Sequence, residues 1–241
     1  MLLKTRALIL KNIKYGDSSL ILKAYTEERG LQSYIISGVR NKRNNGLAGL
    51  FQPMAFLDLV AYDKETSSLN RIKEYNRDLI FQKIPFDIQK GAIGLYMIEL
   101  LGKSLKTADQ NRALYEWIRD TFLFLDQAED GYNNIHLIFA LQLATHLGMN
   151  PDNNFSNEHA YFDAKEGNFV SEGERSYYST DMTLSKIFSE ALSTDISNSG
   201  NIKISSIQRR ALMEKIHLFF AYHIDNFGQM QSHRIFQMAL S

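Results

Sequence analysis

Three basic side chains, Arg40, Lys42 and Arg43, fall inside one glycine-flanked stretch, Gly38 to Gly49. Upstream lie Lys11, Lys14, Lys23 and Arg29, with Tyr15, Tyr25 and Tyr34 interleaved among them. Such a mixture has a definite chemistry. Cations track a phosphate backbone, and exposed aromatic rings stack on unpaired bases. The same tyrosines read equally well as wall or core residues of a small domain, because tyrosine burial is intermediate. The basic cluster is an electrostatic footprint for nucleic acid, set against ordinary solubility charge.

Other chemistries find less support. The chain has no cysteine, which removes disulfides, thiolate metal sites and a thiol nucleophile. Its histidines, His136, His146, His159, His217, His223 and His233, show no HExxH or other ligand spacing. No metal and no cofactor is therefore expected. There is no GxxxxGK[ST], GxGxxG or GxSxG. The acid pairs Glu27-Glu28 and Glu129-Asp130 fall at turns and read as solvated. A Mg²⁺-dependent nuclease with dispersed carboxylates stays open as a class.

The elements that must position these residues change character near residue 80. Before it, five short segments read as strands: Ala7–Lys14, Ser19–Thr26, Leu31–Ser37, Pro53–Tyr62 and Leu69–Asn76. Gly, Asn and Asp signals separate them. Five strands in so short a stretch suit a closed barrel, which removes exposed edges. An oligonucleotide-binding (OB) barrel is the commonest such solution, and an SH3-like barrel gives the same pattern. From Pro85 onward the period is helical. Helices are expected at Phe86–Leu105 with Ile88, Ala92, Leu95, Ile98 and Leu101 near one face, at Asp109–Ala128 with Asp109 as N-cap, and at Tyr132–Leu147 stopped by Gly148. Further helices are expected at Thr183–Leu192, Ser205–Phe227 and Ser232–Leu240, the second opened by a Ser205/Gln208 capping box. Residues 150–181 lack a helical period. Tyr161–Asp163 and Gly167–Val170 read there as two short strands in an insertion packed on the helices.

The formal net charge is zero, from 27 Lys/Arg against 27 Asp/Glu. That balance conceals segregation. Residues 1–80 hold 13 basic and 8 acidic residues, net +5, and residues 81–241 hold 14 and 19, net −5. Residues 150–181 alone hold two basic residues, Lys165 and Arg175, against seven acids. No apolar run approaches the roughly 20 residues a membrane helix needs, and Ala7–Leu10 is too short for a signal-peptide core. The chain is expected to be soluble, unexported and cytoplasmic.

Read in order, Ala7-Leu8-Ile9-Leu10, Tyr15-Gly16-Asp17-Ser18-Ser19-Leu20-Ile21-Leu22, Tyr25-Thr26-Glu27-Glu28-Arg29-Gly30, Ser37-Gly38-Val39-Arg40 and Gly49-Leu50-Phe51-Gln52-Pro53 resemble the bacterial RecO family of recombination mediators. Leu147-Gly148 before the insertion and the final Ser232-His233-Arg234 fit the family's layout more loosely. The resemblance implies an α+β multidomain chain: an N-terminal five-stranded OB-fold barrel, residues 1–80, then an all-helical domain, residues 81–241, with 150–181 as a small β-containing insertion. It implies a non-enzymatic role in RecF-type DNA repair. It also implies binding of single- and double-stranded DNA, annealing of complementary strands, contact with single-stranded DNA-binding protein (SSB), and action with RecR in loading RecA. Many members carry a four-cysteine zinc module after the Leu-Gly pair. Here no cysteine exists, so zinc is not carried over. The expected DNA contacts are Lys14, Arg29, Arg40, Lys42 and Arg43. An SSB tail, acidic with an aromatic end, is expected on the last long helix near Arg209, Arg210, Lys215 and Leu212. The rival is a scaffold module whose barrel docks protein rather than DNA.

Overall fold

The computed structural model describes residues 1–41, 46–62, 69–106 and 110–232. Five strands come first: β1 (Leu2–Tyr15), β2 (Ser19–Thr26), β3 (Gly30–Ile36), β4 (Phe56–Tyr62) and β5 (Asn70–Arg77). They close into a barrel of order β1-β2-β3-β5-β4, in which β1 bonds both β2 and β4. Only the β3–β5 pairing is parallel. That closure is the OB topology. An SH3-like barrel would pair β3 with β4 as consecutive antiparallel neighbours.

β1 begins at Leu2, five residues before the expected Ala7. Leu2 to Leu8 pair with β4, while Ala7 to Tyr15 pair with β2, so one long strand serves two neighbours. The register shifts between Ile9 and Lys11, a bulge that bends the strand from one partner to the other. β4 starts at Phe56 rather than Pro53. A short 3₁₀ turn at Leu47–Phe51 and a left-handed Met54 (φ 76°) hold the residues before it out of the sheet. Inside, Ile9, Leu22, Tyr34, Phe51, Leu59 and Ala61 are each at most 1% exposed. Each fully buried large apolar side chain is worth about 1.5–3 kcal/mol.

The helices are α1 (Ile88–Ser104), α2 (Arg112–Gln127), α3 (Ile135–His146), α4 (Met182–Leu192) and α5 (Ser206–His223). α1 starts two residues later than expected, because Asp87 Oδ1 accepts from the N–H groups of Gln89 (2.8 Å) and Lys90 (3.0 Å) and so caps it. Of the face expected, Ala92, Ile98 and Leu101 are buried and Ile88 and Leu95 are exposed, and the buried set is wider than that face. Ile93, Tyr96, Met97, Leu100 and Leu101 are buried, whereas Ile88 is 80% exposed. Asp109 lies outside the described residues, and Asn111 Oδ1 accepts from Leu114 N–H at the start of α2. α5 has the expected Ser205/Gln208 capping box but ends at His223, not Phe227, because Ile224 is extended and Asn226 is left-handed (φ 58°). The expected terminal helix Ser232–Leu240 lies outside the described residues beyond Ser232.

Two compact units result. The first holds residues 1–82 and 104–122, and the second holds 83–103 and 123–241. Within the first, Arg6 bridges Glu27 and Glu116, and Arg112 also meets Glu27 at 2.9 Å. The Arg6 bond holds the Glu27 carboxyl below the ordinary carboxylate range against the opposing effect of burial. Within the second, β6 (Tyr161–Asp163) and β7 (Asn168–Val170) form the two-stranded hairpin of the insertion. Phe162 stacks on Phe188 of α4, with ring centres 3.8 Å apart.

Candidate nucleic-acid interface

β1 and β2 meet at a tight turn, residues 16–18, and that turn organises the cations nearest the 38–49 stretch. Arg40 N–H donates to the Ser18 carbonyl (3.1 Å), and its Nη1 donates to the Gly16 carbonyl (3.0 Å). The guanidinium is thereby fastened beside the end of β1, where Lys14 is exposed. With Nη1 held by the turn, a phosphate would meet Nε and Nη2. Lys42 and Arg43 lie outside the described residues. Arg29 is not brought to this end. It sits in the β2–β3 turn, and β2, eight residues long, separates the two ends by about 25 Å.

Cations that were not singled out as contacts gather on the barrel's outer wall. Lys11 pairs directly with Lys23 across β1 and β2, and Lys23 pairs with Ser33 of β3. Directly paired residues project to one face. Arg71 of β5 joins that wall through the parallel pairing Ile35↔Arg71, and Tyr62 of β4 pairs with Arg71 in turn. The alternation of β1 and β2 signals Lys11 and Lys23 in the sequence. Nothing local signals that Arg71 arrives beside Ile35. Of the three interleaved tyrosines, Tyr15 is 54% exposed, whereas Tyr25 and Tyr34 are buried core residues. The second exposed tyrosine of the barrel wall is instead Tyr62, at 45%.

A polar groove of about 440 Å³ also opens on the first unit. It sets Glu27, Asp58 and Glu74 against Lys4 and Arg6, a balance that does not suit a polyanion.

The four residues singled out on α5 do not form an open receptor. Leu212 is fully buried. Arg209 Nε donates to the buried Asn134 Oδ1 at 2.9 Å, and Lys215 Nζ donates to the carbonyls of Tyr178 (3.2 Å) and Ser179 (3.1 Å). Burial lowers the pKa of both cations. Spacing explains this: 209, 212 and 216 share one helical face, and that face is the core-facing one. Arg210, on another face, is exposed. Among the described residues no group of three or more His, Asp or Glu side chains could hold a metal ion. His136 is wholly buried, which drives its pKa well below the ordinary histidine value. No described helix is long and apolar enough to cross a membrane.

Comparison with known proteins fits the two-part architecture. Residues 1–77 match the family model described as recombination protein O N terminal, and residues 85–232 match recombination protein O C terminal. The chain is 30% identical to the DNA repair protein RecO of Flavobacterium psychrophilum over 243 residues, covering 100% of both chains. It is 35% identical to the RecO of Bacteroides fragilis over 173 residues, 71% of each chain, and 26% identical to that of Porphyromonas gingivalis, with 96% of each covered. A five-stranded OB barrel with cations on its outer wall, a helical second part carrying a two-stranded insertion, and these similarities agree: the chain belongs to the RecO family of DNA repair proteins.

Proposed function

We propose that this protein is a cytoplasmic, non-enzymatic recombination mediator that binds DNA through residues 1–80. In this reading it anneals complementary single strands and acts with RecR to load RecA onto SSB-coated DNA. The observation that carries the reading is the basic wall and turn of an OB barrel, with Arg40 fastened beside Lys14 at the mouth of the 38–49 stretch. Lys42 and Arg43 extend that stretch in sequence, and Arg29 adds a contact at the far end of β2. Family membership supports a repair role. Residues 81–241, with the insertion 150–181, are assigned to protein contacts. Arg210 is the exposed cation on α5 through which an acidic SSB tail would be met.

Annealing on such a surface requires no reacting side chain. The cations hold two backbones while lowering their mutual repulsion, and the bases face outward to pair. Base pairing then supplies the drive, about 1.4 kcal/mol per stacking step. The test is single-strand binding at two or more salt concentrations for the triple variant Arg40→Ala, Lys42→Ala, Arg43→Ala. Affinity should fall, and the slope of log K against log salt should become shallower by about 2, roughly 0.7 per lost phosphate contact. Parental affinity with a parental slope rejects the site. Mg²⁺-dependent loss of the strand in the same tubes would instead reveal a nuclease. For the helical domain, a tail peptide titrated against Arg210→Glu should bind more weakly, and equal affinity excludes that residue.

A further inference from the structure

Three tyrosines meet edge to face on the surface of the second unit. Tyr177 packs against Tyr178, with ring centres 5.7 Å apart and 84° between planes, and Tyr178 packs against Tyr222 of α5 at 5.0 Å and 68°. Tyr177 is 92% exposed and Tyr222 is 44% exposed. We infer that this aromatic run docks an arginine-bearing segment of a protein partner, whose guanidinium lies on the Tyr177 ring. The inference rests on the assignment of residues 81–241 to protein contacts. It adds to them a partner opposite in charge to the acidic tail placed at Arg210.

A tyrosine this exposed buries almost none of its ring and adds little to the fold. Such rings are enriched where one protein meets another, because they pair an apolar body with a polar tip. The charge around the run says what kind of partner fits. Residues 150–181 hold two basic residues against seven acids. Both of those cations already sit on rings. The Arg175 guanidinium lies 4.3 Å from the centre of the Tyr161 ring, and its Nη1 donates to Glu172 Oε1 at 2.9 Å. Lys165 Nζ lies 5.9 Å from the centre of the Tyr178 ring. Tyr177 is the third tyrosine of the insertion, and among the described residues no cation lies over it.

Arg175 shows the receptor in miniature: a ring face under a guanidinium, with a carboxylate at its edge. The neighbourhood of Tyr177 offers the same two parts. Glu174 and Asp181, three residues before it and four after, are exposed. Glu174 Oε2 accepts from Ser171 N–H (3.1 Å) and Oγ (2.7 Å), and Asp181 Oδ1 accepts from Leu184 N–H (2.8 Å). Neither set of bonds uses Glu174 Oε1 or Asp181 Oδ2. Arginine suits this arrangement better than lysine. Its planar guanidinium stacks on a ring and still presents N–H groups in its own plane to a carboxylate. A nucleic-acid strand also offers flat faces to the run, but its phosphates meet an acidic field there. An acidic peptide is opposed in the same way.

The probe is a short fluorescein-labelled peptide of arginines spaced by glycine and serine, titrated with the full chain by anisotropy. The same peptide with citrulline in place of arginine is the neutral control. The parent should bind the arginine peptide about tenfold more tightly than the control. Tyr177→Ala should weaken the arginine peptide about fivefold, the upper end for an exposed cation on a ring. Tyr177→Phe should stay within about twofold of the parent, because the ring face and not the hydroxyl makes the contact. Glu174→Gln combined with Asp181→Asn keeps both capping acceptors, and should weaken binding and flatten its salt dependence. Equal binding of the two peptides, or parental affinity in Tyr177→Ala, overturns the inference. A parent that binds neither peptide also overturns it, while the tail peptide titrated against Arg210→Glu still decides the acidic contact separately. An oligothymidylate should bind Tyr177→Ala as it binds the parent. Weakening there would give the ring to DNA and overturn the inference.

Discussion

Asp163 shows what a single residue does where cysteine is absent. Its carboxylate is 1% exposed, yet it lies at the tip of β6 in the most acidic stretch of the chain. Oδ1 accepts from the backbone N–H groups of Lys165 (3.0 Å) and Glu166 (3.1 Å), and Oδ2 accepts from the hydroxyls of Ser176 and Ser179. One side chain thus ties the β6–β7 turn to the segment that returns toward α4. Burial alone would push the carboxyl up. The two hydroxyls and two amides outweigh burial and hold it below the ordinary aspartate range. Asp163→Ala leaves four donors unanswered and should cost about 2–4 kcal/mol by urea unfolding at pH 7. Asp163→Asn should cost roughly half as much. Its remaining oxygen can still accept from the amides, and the serine hydroxyls can rotate to accept from the new NH₂ group. Because the folded pKa is depressed, this stability is fully present above the unfolded value, about pH 4, and is lost as pH falls through the lower folded value. The gap between parent and Asp163→Ala should therefore shrink below about pH 4, and a gap that widens there would refute the role. The sequence marked this stretch as two short strands in an insertion. It could not show which of seven acids is buried, because that depends on serines 13 and 16 residues away folding back onto one of them.

At the scale of elements, the legible parts are those whose signals are local. The Ser205/Gln208 box opens α5, Gly148 with φ 75° ends α3, and the β1–β2 and β2–β3 turns stand where Gly16 and Gly30 mark them. Long-range pairing is not legible. The first half of β1, Leu2 to Arg6, has no clear alternation and becomes a strand because β4 lies beside it. Arg71 reaches Ile35 only through the parallel closure of the barrel, so no window of sequence neighbours reveals it as a wall cation. The apolar stripe of α5 was visible, but its flanking cations Arg209 and Lys215 turned out to bond inward, where Asn134 and the carbonyls of residues 178–179 receive them. Close approach between elements is hidden in the same way. The turn before α3 and the 3₁₀ segment Ile196–Asn201 meet at two glycines, and a Cβ on Gly200 would lie 2.7 Å from Gly131 Cα. Backbone cannot yield as a flexible side chain does, so Gly200→Ala should lower stability by about 1–3 kcal/mol in urea unfolding. Gly173→Ala meets nothing within 4 Å and should stay within about 0.5 kcal/mol of the parent. Equal midpoints for the two variants would show that this contact is loose.

Over the whole molecule, a net charge of zero is the sum of +5 on residues 1–80 and −5 on the rest. A polyanion therefore meets two opposite fields, and which one it feels depends on salt. The contacts proposed at Lys14, Arg40 and the outer wall would be short-ranged and should persist at physiological ionic strength, where the Debye length is about 8 Å. The insertion holds seven acids in residues 150–181, and the reach of their field is set by salt. That field reaches about 30 Å at 0.01 M salt. Asp152, Glu158 and Glu166 are exposed, so replacing them by Asn, Gln and Gln should leave the fold intact. Single-strand affinity of this triple variant, measured by fluorescence anisotropy, should match the parent at 0.15 M salt and exceed it by several-fold at 0.01 M. The cation variants of the barrel should weaken binding at both concentrations. An increase at 0.15 M as large as that at 0.01 M would mean that the acids act on the strand at short range. No change at either concentration would mean that the −5 does not oppose DNA at all. The segregation would then serve contacts with protein, which is the role the helical domain is assigned.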